Sequence, residues 1–105
     1  AYSLAAGGPI IHPSVRGIIL TPICPFTLTN RAMIVPETVC IKIKLSAKTT
    51  DIKGTFDGQV GLDLDHKDTL IITKSPHPIR LISIPQQNYF DILKTKLRWS
   101  GRVMT

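Results

Sequence analysis

Residues 39–46 read VCIKIKLS. Val39, Ile41, Ile43 and Leu45 alternate with Cys40, Lys42 and Lys44. A period of two sends successive side chains to opposite faces of an extended chain, so this stretch is expected to be a strand with one buried face. The polar AKTTD after it is expected to turn. Next, KGTFDGQVGLDL sets two short strand-like runs on either side of Asp57-Gly58. An Asp-Gly pair tolerates the positive φ values of a two-residue hairpin turn. Further strands are expected in GIILTPICP (17–25), AMIVP (32–36), DTLIITKS (68–75) and HPIRLISI (77–84). The length and Ile content of the first favour a buried strand, with Pro22 marking an edge or a bulge.

From Gln86 to Trp99 the period lengthens. Phe90, Leu93 and Leu97 fall at helical spacing. Ser83 and Gln86 suit a capping box, and Lys94, Lys96 and Arg98 suit the negative end of the helix dipole. The chain opens with AYSLAAGGPIIHP (1–13). Ala1–Ala6 reads as the end of a helix, Gly7 and Gly8 offer the left-handed residue that closes one, and Pro9 stops its continuation. Strands do not alternate with helices, which argues against a doubly wound parallel sheet. The expected fold class is all-β: an antiparallel, sandwich-like domain of many short strands, with a short N-terminal helix end and one C-terminal helix.

The chain has 105 residues, of which 43% are hydrophobic and 19% charged, enough for one folded domain with one core. A formal charge of +6 fits either an anionic partner or a solvated basic surface. The late basic residues Lys94, Lys96, Arg98 and Arg102 are not interleaved with aromatics, which argues against nucleic acid. No apolar run approaches the roughly 20 residues of a membrane span. Cys24 and Cys40 lack metal-ligand spacing, and His12, His66 and His77 are scattered, so no metal site is expected. The two cysteines read as reduced, core or half-buried thiols of a cytoplasmic protein.

No P-loop, GxGxxG or Ser/His/Asp signature is present. Asp57, Asp63, Asp65 and Asp68 are the nearest thing to a carboxylate cluster, and read as a solvated face. AGGP (6–9) reads as a helix stop, and secondly as a place where backbone approaches a ligand closely. FDGQ (56–59) is a hairpin tip, or a rigid mount from which Asp57 accepts from a ligand hydroxyl or amine. Tyr2 either stacks on a base or fills core.

Three stretches, AYSLAAGGPIIHP, GIILTPICPFTLTNRAMIVPE and FDGQ, followed by a terminal helix with LRW, resemble the C-terminal domain of the NAD kinases over nearly the whole chain. In that family Thr-Gly-Ser-Thr precedes Ala-Tyr-Ser, so the resemblance implies a domain (residues 1–105) taken from a larger enzyme. The family's first domain is α/β. Its Gly-Gly-Asp-Gly-Thr motif binds the phosphate donor and supplies the aspartate that activates the acceptor hydroxyl. No such motif occurs in these residues, and no catalytic residue is expected among them. The implied reaction is transfer of a phosphoryl group from ATP or polyphosphate to the 2′-hydroxyl of the adenosine ribose of NAD, giving NADP. A divalent cation, usually Mg2+, accompanies the donor and is not held by this domain.

By the same resemblance Ala1 and Tyr2 line the NAD site, and Asp57 and Gly58 match the hairpin that reaches its nicotinamide side. Ala5 matches a position that is Ser in many members and lacks that hydroxyl. Family members form homodimers or homotetramers in which a neighbour's PICPF region borders the NAD site. This puts Cys24 and Phe26 near a subunit interface, and Phe26 stands where relatives often have His. The family's final helix packs back towards the first domain. Two rival readings remain. One is a non-catalytic β-rich protein-interaction module with apolar, Pro-rich edges. The other is a relative of the lipid or diacylglycerol kinases, which AGGPIIHP followed by TPICP argues against.

Overall fold

The computed structural model describes residues 1–25 and 28–99. These divide into two compact units, Ala1–Ser75 and one beginning at Pro76. The first unit contains one short helix, α1 (Tyr2–Ala5), and six strands: β1 (Gly17–Leu20), β2 (Met33–Pro36), β3 (Ile41–Lys44), β4 (Ile52–Phe56), β5 (Val60–Leu64) and β6 (Thr69–Ile72). The second contains α2 (Tyr89–Leu97). The class is the antiparallel, β-rich one expected, with two short helices.

The strands pair two by two. β1 runs antiparallel to β2, with Gly17 opposite Pro36 and Leu20 opposite Met33. β3 pairs with β6, Ile41 opposite Ile72, and the β4–β5 hairpin is inserted between them in sequence. Ile43, Leu45, Leu64 and Leu70 line a void of about 20 Å³ where the hairpin base meets the β3–β6 pair. The strand expected over 39–46 is observed for Ile41–Lys44, and its buried face only in part: Ile41 is half-buried, but Ile43 is exposed along with Lys42 and Lys44.

Several expectations are corrected. No described residue is fully buried, so the single core expected from composition is not found among them. Two-stranded sheets leave much of each apolar face open. β1 is half-buried and stops at Leu20, short of the expected 17–25. Pro22 therefore lies outside the strand, and Cys24, at φ 49°, cannot continue an extended chain. Residues 77–84 form no strand. Pro76, Pro78 and Pro85 lack the N–H a ladder needs, and Ile79 and Leu81 are 88% exposed. Helix α2 begins later than expected. Its cap is Asn88, whose side chain accepts from the Phe90 N–H at 2.9 Å, in place of the Ser83/Gln86 box. Cys24 and Cys40 are free, as read, but both are exposed.

Helix α1 closes as its glycines suggest. The Gly7 N–H donates to Leu4 O at 3.1 Å and the Gly8 N–H to Ser3 O at 2.7 Å, with Gly7 at φ 86°. These crossed bonds are the Schellman closure, and glycine supplies its left-handed residue without a Cβ penalty.

Candidate functional site

The hairpin tip is built by its backbone. Asp57 and Gly58 both take positive φ, 53° and 69°. The Gln59 N–H donates to Phe56 O at 3.0 Å. Phe56 pairs with Val60, so the loop is Asp57–Gln59, one residue longer than the two-residue turn expected. Ladder bonds of β4 and β5 hold the tip, which leaves the Asp57 side chain exposed at its end.

Tyr2 meets this tip. A Cβ on Gly58 would stand 2.6 Å from Tyr2 Oη and 3.3 Å from Cε2 and Cζ. The ring's end therefore sits where a side chain at residue 58 would displace it. Even so, Tyr2 is 71% exposed. It is not core packing, and its ring keeps a free face beside the Asp57 carboxylate's mount. An aromatic face with a polar tip, next to an acceptor on a rigid turn, suits a planar ligand carrying hydroxyl or amide groups.

Ala1 is the residue before α1 and Ala5 is its last; both are exposed. Tyr2 and Gly58 are thus brought into contact, with Asp57 adjacent in the turn. Cys24 lies in the loop after β1, exposed. Phe26 and Arg102 lie outside the described residues.

The other three carboxylates of the sequence cluster are engaged elsewhere. Asp65 Oδ1 accepts from the Lys67 N–H at 2.7 Å and Asp68 Oδ2 from the Asp65 N–H at 2.9 Å, closing the turn between β5 and β6. Asp63 faces Lys53 across the hairpin at 4.0 Å, an exposed pair of small energetic weight. Among the described residues no three or more His, Cys, Asp or Glu side chains gather as metal ligands.

Sequence reasoning missed Ser3 and Thr21. Ser3 Oγ and Thr21 Oγ1 lie 2.6 Å apart, part-buried. The available signals were slight: one small hydroxyl beside Tyr2 in the start AYSLAA, and one between Leu20 and Pro22.

Residues 1–84 match the family described as the ATP-NAD kinase C-terminal domain. The chain belongs to that family. Among its relatives, a protein named NAD kinase from Desulfatibacillum aliphaticivorans is 59% identical over 101 residues, covering 96% of this chain and 36% of that protein. The NAD kinase of Syntrophobacter fumaroxidans is 50% identical over 94% of this chain and 35% of its own length. That of Geobacter sulfurreducens is 44% identical over 96% of this chain and 36% of its own. The chain thus spans about a third of the length of the curated relatives it matches. Within the ATP-NAD kinase C-terminal family, the stretch that matches takes in the whole Tyr2–Gly58 site and ends before α2.

Proposed function

We propose that this chain, residues 1–105, is the NAD-binding and oligomerisation domain of an NAD kinase that phosphorylates the 2′-hydroxyl of the adenosine ribose of NAD. The observation that carries the reading is the contact of Tyr2 with Gly58 at a hairpin tip that presents Asp57. Family membership supports the reaction, and the Tyr2–tip geometry supports NAD as this chain's own ligand.

Phosphoryl transfer is mostly positioning and charge neutralisation. In this reading the chain does the positioning. Ala1 leaves room at the start of α1, the Tyr2 ring stacks on the dinucleotide, and Asp57 accepts from a hydroxyl or the amide. The donor, ATP or polyphosphate, is held elsewhere in the enzyme. A divalent cation, Mg2+, enters with it and neutralises phosphate charge; the Asp65 and Asp68 carboxylates are already engaged by the turn. A neighbouring subunit of a homodimer or homotetramer brings Cys24 and Phe26 to the site. The reading places the enzyme in the cytoplasm; no helix among the described residues is long and apolar enough to cross a membrane.

A coupled assay of NADP formation, run on the full-length protein beside the isolated chain, tests the proposal. NADP is expected from the full-length protein only. Turnover by the isolated chain at a comparable rate would overturn the division of labour.

A further inference from the structure

Helix α1 is four residues long and has no side-chain N-cap. A single turn is far below the length at which a helix holds itself in water. The Schellman closure sets its internal shape but not its place beside the strands. That place depends on contacts to other elements. Two of them are Tyr2 on the Gly58 tip and the 2.6 Å bond between Ser3 Oγ and Thr21 Oγ1.

We propose that the Ser3–Thr21 hydroxyl pair is a positioning device, which holds α1 so that the Tyr2 ring stays on the Asp57–Gly58 tip. The inference rests on the reading of that tip as an NAD site. Thr21 makes a firm post. It directly follows Leu20, which is paired with Met33, and the ring of Pro22 after it restricts it to extended backbone. Successive helical side chains are about 100° apart, so Ser3 can face the post while Tyr2 faces the hairpin. The junction is close. A Cβ on Gly8 would stand 2.7 Å from Ser3 O and 2.8 Å from Thr21 Oγ1. Glycine at this position lets the end of α1 come near enough for two short side chains to bond. Ser3 and Thr21 touch no ligand in this scheme; they act through Tyr2.

Kinetics of Ser3→Ala, Thr21→Val, the double variant and Thr21→Ser in the full-length protein test this. Ser3→Ala and Thr21→Val are expected to raise the NAD KM about threefold to tenfold, the effect of one hydrogen bond, with the donor KM unchanged. The double variant is expected to be no worse than either single one, because both remove the same bond. Thr21→Ser keeps a hydroxyl and is expected to hold the NAD KM within about twofold of the parent's. Equal rises in both KM values would make the pair merely structural and overturn the proposal. So would an unchanged NAD KM in an enzyme that still makes NADP. If Thr21→Val does not fold, Ser3→Ala against Thr21→Ser gives the same comparison, and equal NAD KM values there also overturn it. A parent protein that makes no NADP defeats the site reading itself, and this inference with it.

Discussion

Tyr2 Oη stands where the first atom of any side chain at residue 58 would have to go: 2.6 Å from the Cβ position of Gly58. Residues far apart in the sequence of the first unit are thereby fitted to each other. Gly58 also sits at φ 69°, a region that L side chains enter at a cost. A side chain here would therefore have two separate effects, backbone strain and displacement of the exposed Tyr2 ring.

They can be told apart with a second glycine. Gly7 has φ 86° but nothing within 4 Å of its Cβ position. Gly7→Ala is expected to cost about 1 kcal/mol of stability through backbone strain alone. Gly58→Ala is expected to cost a similar amount and, in addition, to move the Tyr2 ring and raise the NAD KM. Thermal denaturation and NAD kinetics on the two variants check this, and an NAD KM raised equally in both would defeat the contact argument.

Asp57 takes φ 53°, where asparagine is also at ease. Asp57→Asn should therefore keep the turn, with stability within about 0.5 kcal/mol of the parent. It removes the carboxylate's charge and half of its acceptor capacity. A raised NAD KM at unchanged melting temperature is expected. A lowered melting temperature would mean that the carboxylate serves the turn itself.

In the second unit, Asn88→Ala should cost about 1 kcal/mol of helix stability by removing the acceptor for the Phe90 N–H. Circular dichroism of the isolated chain would register this as lost helical signal. Leu93 is only half-buried in the chain. Leu93→Ala should therefore cost less than the roughly 2–5 kcal/mol of a fully buried leucine. A larger loss on denaturation would mean that α2 packs more deeply than its exposure indicates.

What could be read from the residues follows from where the partner of each element lies. The glycine closure of α1 is a local pattern and is observed; the strand at 41–44 and the Asp-Gly turn are local too, and form with Ile43 exposed and with one more loop residue than expected. The run at 77–84 is just as rich in Ile and Leu, with Leu81 and Ile82 adjacent and out of phase, and those residues are no strand. Alternation says which side of a strand is apolar; it does not supply the neighbouring strand that would accept its hydrogen bonds. Burial fails for the same reason: 43% hydrophobic composition indicates that a core is affordable, not that this chain alone encloses one. At the site, the family resemblance named Tyr2, Asp57 and Gly58 separately. Their contact depends on the hairpin being seated beside β3 and β6, which no periodicity reveals. Ser3 and Thr21 carry no local pattern, because a serine and a threonine 18 residues apart are brought together only by the fold.

The most direct test of NAD binding at the Tyr2–Gly58 tip is Tyr2→Ala in the full-length protein, with melting temperature and the KM values for NAD and for the donor measured on the same samples. Tyr2 is largely exposed, so the melting temperature should barely move. Loss of a stacking face and a hydrogen bond should cost about 1–3 kcal/mol, a roughly tenfold to hundredfold fall in kcat/KM for NAD, with the donor KM unchanged. Tyr2→Phe should lose less. A destabilised enzyme whose NAD KM is unaltered would contradict the assignment and return Tyr2 to the role of a packing residue.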